Sequence, residues 1–262
     1  GLVPRRLGIV TPELEANVLA AKRVQELVKS CEGGTYTPLL LTYESDIERA
    51  QEQTDATTQA MIENKITTVV CMCDPIAPVF GTNGYTQQRY FPELLLPGLG
   101  LLDYDKLGRL YDSQQRPHLF GPSHLQENVP HSQSDAAKVW KASGRSGDPC
   151  ASCNLNWAYQ GFVASLIHSA GPVLTPLSIE QEIFKLPPRG GWKATGGRPE
   201  IILIKFGKDD YTAISDVREV YWSETAISKI DGQAGAYVPM NGGRRYELGE
   251  WDSTLNIPVP AN

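Results

Sequence analysis

Short apolar runs alternate with longer amphipathic segments through the first half of the chain. The runs are rich in β-branched residues and carry almost no charge, which is typical of strands that are buried on both faces of a sheet. Four strands are therefore predicted, at Leu7–Val10, Leu39–Thr42, Thr67–Cys71 and Leu94–Pro97.

The segment after the first predicted strand has the spacing of a helix. Its apolar residues recur every three or four positions, which places them on one helical face. These residues are Leu14, Val18, Ala21, Val24 and Val28. Thr11 is suited to cap this helix, and Pro12 is suited to its first position.

Two further helices have recognisable starts. Ser45 and Glu48 have the spacing of a capping box, and Asp74-Pro75 follows the third predicted strand at once. Strands that alternate with amphipathic helices form a parallel sheet with helices packed on both faces. The predicted fold class is therefore α/β, with a doubly wound parallel sheet.

The second half of the chain has a different pattern. The apolar segment "NLNWAYQGFVASLIHSAG" predicts a helix with Trp157, Phe162 and Leu166 among its core residues, and "SIEQEIFKL" predicts a second helix. The runs "IILIKF" and "YTAISDVREVYW" predict a β-hairpin, and the final "NIPVPAN" is expected to be a tail. We divide the chain into an α/β lobe at 1–125, a linker with two returning helices at 126–195, and the hairpin with the tail at 196–262.

Composition narrows the classes of function. The net charge of −6 opposes a nucleic-acid partner, because phosphate binding needs a basic surface. No stretch approaches the roughly 18 apolar residues that a membrane-spanning helix needs. The N-terminal "GLVPRRLGIV" is too short and too broken for a signal peptide.

The ends of the predicted strands are the expected location of a binding site. In an open parallel sheet, ligands bind beyond the carboxyl ends of the strands, and helix N-termini there offer free N–H groups to a polar solute. The candidate residues are Thr11, Pro12, Glu13, Tyr43, Glu44, Ser45, Cys73, Asp74, Pro75, Asp103 and Tyr104. We expect Glu44 and Asp74 to be the main charged groups.

The five cysteines allow more than one arrangement, and an odd count leaves at least one without a partner in the chain. Cys71 and Cys73 face the same side of a strand, a geometry that opposes a bond between them. Cys71 is therefore predicted to be buried and reduced. Cys150 and Cys153 lie in a polar loop and are predicted to form a local disulfide. A zinc site built from both pairs is the alternative.

Catalytic and cofactor-binding motifs are absent from the sequence. It contains no GxSxG, P-loop, HExxH or GxGxxG pattern. Glu44 and Asp46 are close enough for an acid–base pair, but no nucleophile or cofactor site accompanies them, so we interpret them as a helix cap and a ligand contact. We expect no enzymatic activity, no cofactor and no metal.

The order of the elements resembles a known family. The stretches that carry the resemblance are "RRLGIVTPELEANVLAAKRVQELVKSCEGG", "LLLTYESDIERAQEQTDATTQAMIENKITTVVCMCDPIAP" and "LNWAYQGFVASLIHSAG…LSIEQEIFKL". They look like the second lobe and the returning helices of type 1 periplasmic binding proteins, the branched-chain amino-acid class of ABC-transporter solute-binding proteins. The chain thus resembles the C-terminal half of such a protein, as a fragment or a cleaved product.

The resemblance implies capture of a small polar or amino-acid-like metabolite in a cleft between two lobes that close on a hinge. It implies an ABC-transporter membrane permease as partner, and a lipoprotein that is exported to the periplasm or the cell surface. It also implies that the returning helices pack on an absent first lobe or on a second copy of the chain. Glu44 lies where amino-acid binders of the family often keep an acidic group for the ligand's ammonium.

Two other functions fit the same pattern. The ligand-sensing domain of a receptor or a transcription regulator shares this lobe architecture. A flavodoxin-like enzyme domain shares the sheet, but it would carry a glycine-rich phosphate loop where this sequence has Thr11-Pro12.

Overall fold

One mixed sheet organises the protein in the computed structural model, which describes residues 5–31, 34, 36–150, 153–198, 201–208 and 210–250. Its strands follow the order β2-β1-β3-β4-β5-β6-β7, and β8 pairs with β6. The strands are β1 (Leu7–Pro12), β2 (Leu39–Tyr43), β3 (Thr68–Cys71), β4 (Glu93–Leu95), β5 (Leu119–Ser123), β6 (Asp216–Ile227), β7 (Ala234–Pro239) and β8 (Tyr246–Glu247).

The first five strands are parallel, which confirms the predicted α/β sheet. β1 is longer than its apolar run, because the neighbouring strand β2 extends alongside it and pairs Thr42 with Thr11 and Tyr43 with Pro12. The carboxyl ends of β1, β2 and β3 consequently meet at one edge of the sheet.

Helices cover both faces of the parallel strands. They are α1 (Glu15–Cys31), α2 (Ala50–Glu63), α3 (Ala77–Gln87), α4 (Asp105–Gly108), α5 (Asp135–Ala142), α6 (Cys153–Ala170) and α7 (Pro176–Ile183). On one face Ala21 of α1 packs with Ile9, Val70 and Met72. On the other face, Met61 of α2 lies in a larger core with Val69, Leu94 and Leu119, among others.

Two predicted helix starts are wrong. Thr11 and Pro12 belong to β1, and α1 begins only at Glu15, so neither residue caps it. Ser45 is not the cap of α2, which begins at Ala50 after a turn. The backbone of Thr11 and Pro12 does not start a helix because it is paired with the neighbouring strand β2.

The C-terminal hairpin also differs from the prediction. Among the described residues, the "IILIKF" segment pairs only through isolated bridges, which place Ile204 opposite Arg189 and Ile214. The regular hairpin is formed by β6 and β7, and β6 also runs antiparallel to β5. The segment "NIPVPAN" lies outside the described residues.

Two buried arginines hold the segment that leaves β5. Arg245 donates to the carbonyl of Leu125 at 3.0 Å and pairs with Asp216 at 2.9 Å. Arg218 donates to the carbonyl of Gln126 at 3.3 Å. The path from the sheet to α5 is therefore fixed by side chains of the C-terminal strands.

The returning helices leave much apolar surface exposed. Phe162 stacks on Phe206 and Leu166 is buried, but Trp157 is 42% exposed and is not the core residue that the sequence predicts. Tyr159, Val163, Ile167, Val173, Leu174 and Leu177 are each at least 46% exposed. Among the described residues no helix combines the length and hydropathy required to cross a membrane.

The close approach of α2 and α3 provides a test of the packing. A Cβ added at Gly84 would lie 2.3 Å from Cγ2 of Thr54, whereas a Cβ at Gly161 of α6 would meet no atom within 4 Å. We expect Gly84→Ala to lower the free energy of unfolding by about 1–3 kcal/mol through overpacking. Gly161→Ala should raise it by up to about 1 kcal/mol through helix propensity. Urea unfolding of both variants measures the difference, and equal effects would contradict this packing.

Candidate functional site

A cavity of about 190 Å³ opens at the carboxyl ends of β1, β2 and β3, between the first turns of α2 and α3. Because parallel strands bring their carboxyl ends to one edge, residues distant in sequence meet here. Five of the predicted site residues line it, namely Tyr43, Glu44, Ser45, Cys73 and Asp74.

Asp74 and Tyr43 form the most connected polar pair of this cavity. The Tyr43 hydroxyl donates to Oδ2 of Asp74 at 2.6 Å and accepts the Asp74 N–H at 2.9 Å. Oδ1 of Asp74 accepts the N–H groups of Ile76 and Ala77 at 2.8 and 3.1 Å, which satisfies the start of α3. Burial, reinforced by the hydrogen bond to Asp74, raises the pKa of Tyr43, so its phenol stays protonated.

Glu44 lies at the exposed rim. Its carboxylate pairs with Arg49 at 2.5 Å, and its N–H donates to Oε1 of Gln53 at 2.6 Å. Both members of the ion pair are about half exposed, so solvent screening leaves little stability in it. A ligand could therefore recruit this carboxylate at low cost.

Several lining residues were missed in the sequence. They are Ile47, Gln53, Thr57, Ile76 and Phe80, which come from the turns before α2 and α3 and from the N-terminal halves of the two helices. Asp46, which the sequence analysis already paired with Glu44, also lines the cavity. Ile47 carries a signal that the sequence shows, because it is an apolar residue between Asp46 and Glu48. In the structure Ile47 and Ile76 are 65% and 44% exposed. The cavity thus has an apolar wall and an acidic rim.

The remaining predicted site residues do not line this cavity. They are Thr11, Pro12, Glu13, Pro75, Asp103 and Tyr104. Thr11 is fully buried within the sheet. The Glu13 N–H donates to the carbonyl of Tyr43 at 2.9 Å, while its side chain is exposed.

Asp103 belongs to a separate buried cluster with Ser123, His124 and Arg218. Burial raises the pKa of Asp103 above its usual range, and the nearby Ser123 hydroxyl and the charges of His124 and Arg218 oppose that rise. Burial lowers the pKa of His124, partly offset by Asp103. Ser123 and Arg218 are neighbours in the β5–β6 pairing, so this cluster lies at the end of β5 and not at the cavity.

The cysteines require one correction. Cys71 is buried but not reduced, because it forms a disulfide with Cys73 across a Cα–Cα distance of 5.0 Å. The strand ends at Cys71, so the extended geometry that opposed this bond does not apply to Cys73. A second disulfide joins Cys150 and Cys153. Within the described residues no group of His, Cys, Asp and Glu could hold a metal ion.

Comparison with known proteins identifies the fold. Neither a protein-family model nor a curated protein matches the sequence. Solved structures do match. The leucine-, isoleucine-, valine-, threonine- and alanine-binding protein of Brucella ovis is 12% identical, with a TM-score of 0.59, over 99% of this chain and 61% of its own.

Two other matches are an R. palustris ABC-transporter solute-binding protein in complex with 4-hydroxybenzoate and a fatty-acid ABC-transporter substrate-binding protein of Thermomonospora curvata. The first is 11% identical, with a TM-score of 0.60, over 94% of this chain and 62% of its own. The second is 14% identical, with a TM-score of 0.55, over 94% of this chain and 59% of its own.

The chain has the fold of the type 1 periplasmic binding proteins. It spans about 60% of the length of the solved structures that it matches. The cavity between α2 and α3 therefore lies at the carboxyl edge of the parallel strands in a chain with this fold.

The contribution of the Tyr43–Asp74 pair to stability can be tested by removal of the Tyr43 hydroxyl oxygen. We expect Tyr43→Phe to lower the free energy of unfolding by about 1–3 kcal/mol, because Asp74 loses a donor to its carboxylate and an acceptor for its N–H. Tyr221→Phe on the exposed side of β6 is the control and should change it by less than about 0.5 kcal/mol. Chemical denaturation measures both, and a neutral Tyr43→Phe would show that the pair contributes nothing.

Asp103 gives a prediction for pH. Since its pKa is raised on folding, the folded state holds the proton over a range where the unfolded state has lost it. Stability from this group therefore falls as pH rises from the ordinary Asp value, about 3.9, through the raised value. Asp103→Asn removes this dependence of stability on pH. The free energy of unfolding of the variant, relative to that of the parent protein, should therefore rise with pH across that window. Denaturation curves at pH 4 to 7 measure it, and parallel pH profiles would contradict it.

Proposed function

We propose that the protein is the solute-binding component of an ABC importer and captures a small molecule without catalysis. The observation that carries this proposal is the cavity at the carboxyl edge of β1–β3, on a fold whose solved examples are ABC-transporter binding proteins. Its partner would be a membrane permease, and it would act after export, in the periplasm or at the cell surface.

The exposed face of the returning helices supports a two-lobed protein. Tyr159, Val163 and Ile167 are spaced by four residues, so they form one row along α6. Large apolar residues in a row favour burial against another surface. We propose that a first lobe packs on this face and encloses the solute from the opposite side.

The lining of the cavity favours a particular kind of solute. It contains the carboxylates of Glu44, Asp46 and Asp74, and no lysine, arginine or histidine is among its lining residues. Ile47 and Phe80 add apolar surface. We propose a solute with an amine or other hydrogen-bond donors on an apolar body, rather than a free carboxylic acid.

Titration calorimetry on the full-length protein tests this function with 3-methylbutylamine, phenethylamine, 4-hydroxybenzoate and octanoate. We expect the two amine-bearing compounds to bind more tightly than the two acids. Glu44→Gln and Asp74→Asn should each weaken amine binding by about 1.5–3 kcal/mol, the range for a hydrogen bond to a charged group.

Glu48→Gln is the matched control, because Glu48 is exposed near the same turn but does not line the cavity. Tighter binding of the acids would overturn the proposed chemistry of the solute. Amine binding that is unchanged in both Glu44→Gln and Asp74→Asn would overturn the location of the site.

A further inference from the structure

The Cys71–Cys73 disulfide lies between the end of β3 and Asp74. Two residues apart in an extended strand, Cα atoms are about 6.6 Å from each other, but here they are 5.0 Å apart. The chain must therefore leave the extended conformation within this pair. β3 stops at Cys71, whereas β1 continues for two residues beyond Val10, the partner of Cys71.

Both cysteines face the side of the sheet that carries the cavity. They pack in the core with Val10 and Val69, whereas Met72 between them packs on the opposite face. Each cysteine is only 7% exposed, but Cys73 lines the cavity. The cavity is thus a route by which a small reductant reaches the bond.

Global stability is a weak explanation for this bond. A disulfide stabilises a fold chiefly by restricting the unfolded chain, and the effect grows with the length of the loop that it closes. This loop contains a single intervening residue. The bond therefore constrains local geometry far more than it constrains the unfolded state.

The geometry that it constrains is that of Asp74. The Asp74 N–H donates to the Tyr43 hydroxyl. The Asp74 side chain accepts three further hydrogen bonds, from Tyr43, Ile76 and Ala77. All four depend on the direction in which the chain leaves Cys73. A change in that direction would separate the polar pair of the cavity from the start of α3.

We propose that the Cys71–Cys73 disulfide is a positioning element of the solute site, so that its reduction by a dithiol releases the Tyr43–Asp74 pair while the parallel sheet stays folded. The solute-binding part of this inference rests on the proposed function. The sheet keeps its structure because the backbone hydrogen bonds between β1 and β3 do not involve sulfur, and Ile9 and Val70 pack on the face opposite the disulfide.

The chemistry is thiol–disulfide exchange. A thiolate of the dithiol attacks one Sγ, the Sγ–Sγ bond breaks, and the other cysteine leaves as a thiolate that takes up a proton. The second thiol of the reagent then displaces the first cysteine and closes a cyclic disulfide. The reagent loses two electrons and two protons, and Cys71 and Cys73 gain them.

Amide hydrogen exchange measured by NMR tests the proposal without any ligand. The triple variant Cys31→Ser/Cys150→Ser/Cys153→Ser keeps the Cys71–Cys73 disulfide as its one disulfide. Cys31 is free and exposed, and Cys150 and Cys153 form the second disulfide of the parent protein. On reduction with dithiothreitol, exchange at Ile76 and Ala77 should accelerate at least tenfold. Exchange at Ile9 and Val70 in the sheet should not change, and reoxidation should restore protection.

Thiol counting by mass after alkylation confirms that the bond was reduced. Unchanged exchange at Ile76 and Ala77 would then overturn the proposal, and so would loss of protection that spreads to Ile9 and Val70. The oxidised triple variant is the control for loss of the Cys150–Cys153 disulfide. Its amides should keep the protection from exchange that they have in the parent protein. Reduction of the folded protein avoids reliance on Cys71→Ser/Cys73→Ser, which could fail to fold.

Calorimetry with phenethylamine on the same two redox forms tests the link to binding. We expect at least a tenfold weaker affinity after reduction, with a melting temperature that changes by only a few degrees. If phenethylamine binds neither form, the proposed function fails for that solute, and the exchange at Ile76 and Ala77 still decides whether the disulfide positions Asp74. Equal affinities in both forms would overturn the role in binding.

Discussion

Parallel pairing of the first five strands is the constraint on which the rest of the structure depends. A parallel neighbour cannot be reached by a tight turn, so each strand is followed by a crossover that lies on a face of the sheet. The crossovers bury apolar residues on both faces, with Ile9 on one side and Val69 on the other. They also force every carboxyl end to the same edge, which is why Tyr43 and Asp74, 31 residues apart, share hydrogen bonds.

The antiparallel strands close the other end of the sheet. β6 pairs with β5, and Trp222 of β6 joins the same core as Leu119 of β5. Asp105 in the short helix α4 accepts the Ser228 hydroxyl at 2.6 Å and the Tyr237 N–H at 3.0 Å. One buried carboxylate therefore fastens the hairpin to the lobe, and unlike Asp74 it is remote from the cavity.

Local pattern predicted most of the parallel sheet, because a strand buried on both faces must be apolar along its length. The failures have long-range causes. Thr11 and Pro12 have the chemistry of a helix start, but the edge strand β2 supplies partners that keep them in β1. The strand β6 was only partly recognised, since its partner β5 lies about 100 residues earlier and its turn into β7 is polar.

In the candidate site, too, local pattern predicts some residues, and long-range packing determines the others. Five of its residues follow directly from the rule that ligands bind beyond the strand ends. Asp103 also follows a predicted strand, yet a buried environment with Arg218 takes it away from the cavity. The residues that α2 and α3 contribute depend on how the two helices approach each other at Gly84, which no local pattern specifies.

The arginine contacts after β5 have a consequence for sequence variation. Arg218 and Arg245 donate to the backbone carbonyl oxygens of Gln126 and Leu125, and the side chain that Arg218 pairs with is that of the next residue, Glu127. Every amino acid, including proline, carries a backbone carbonyl oxygen. Positions 125 and 126 can therefore accept many different side chains while the chain follows the same route out of the sheet, provided that the two guanidinium groups remain, whereas Glu127 is constrained by its ion pairs with Arg218 and Lys229.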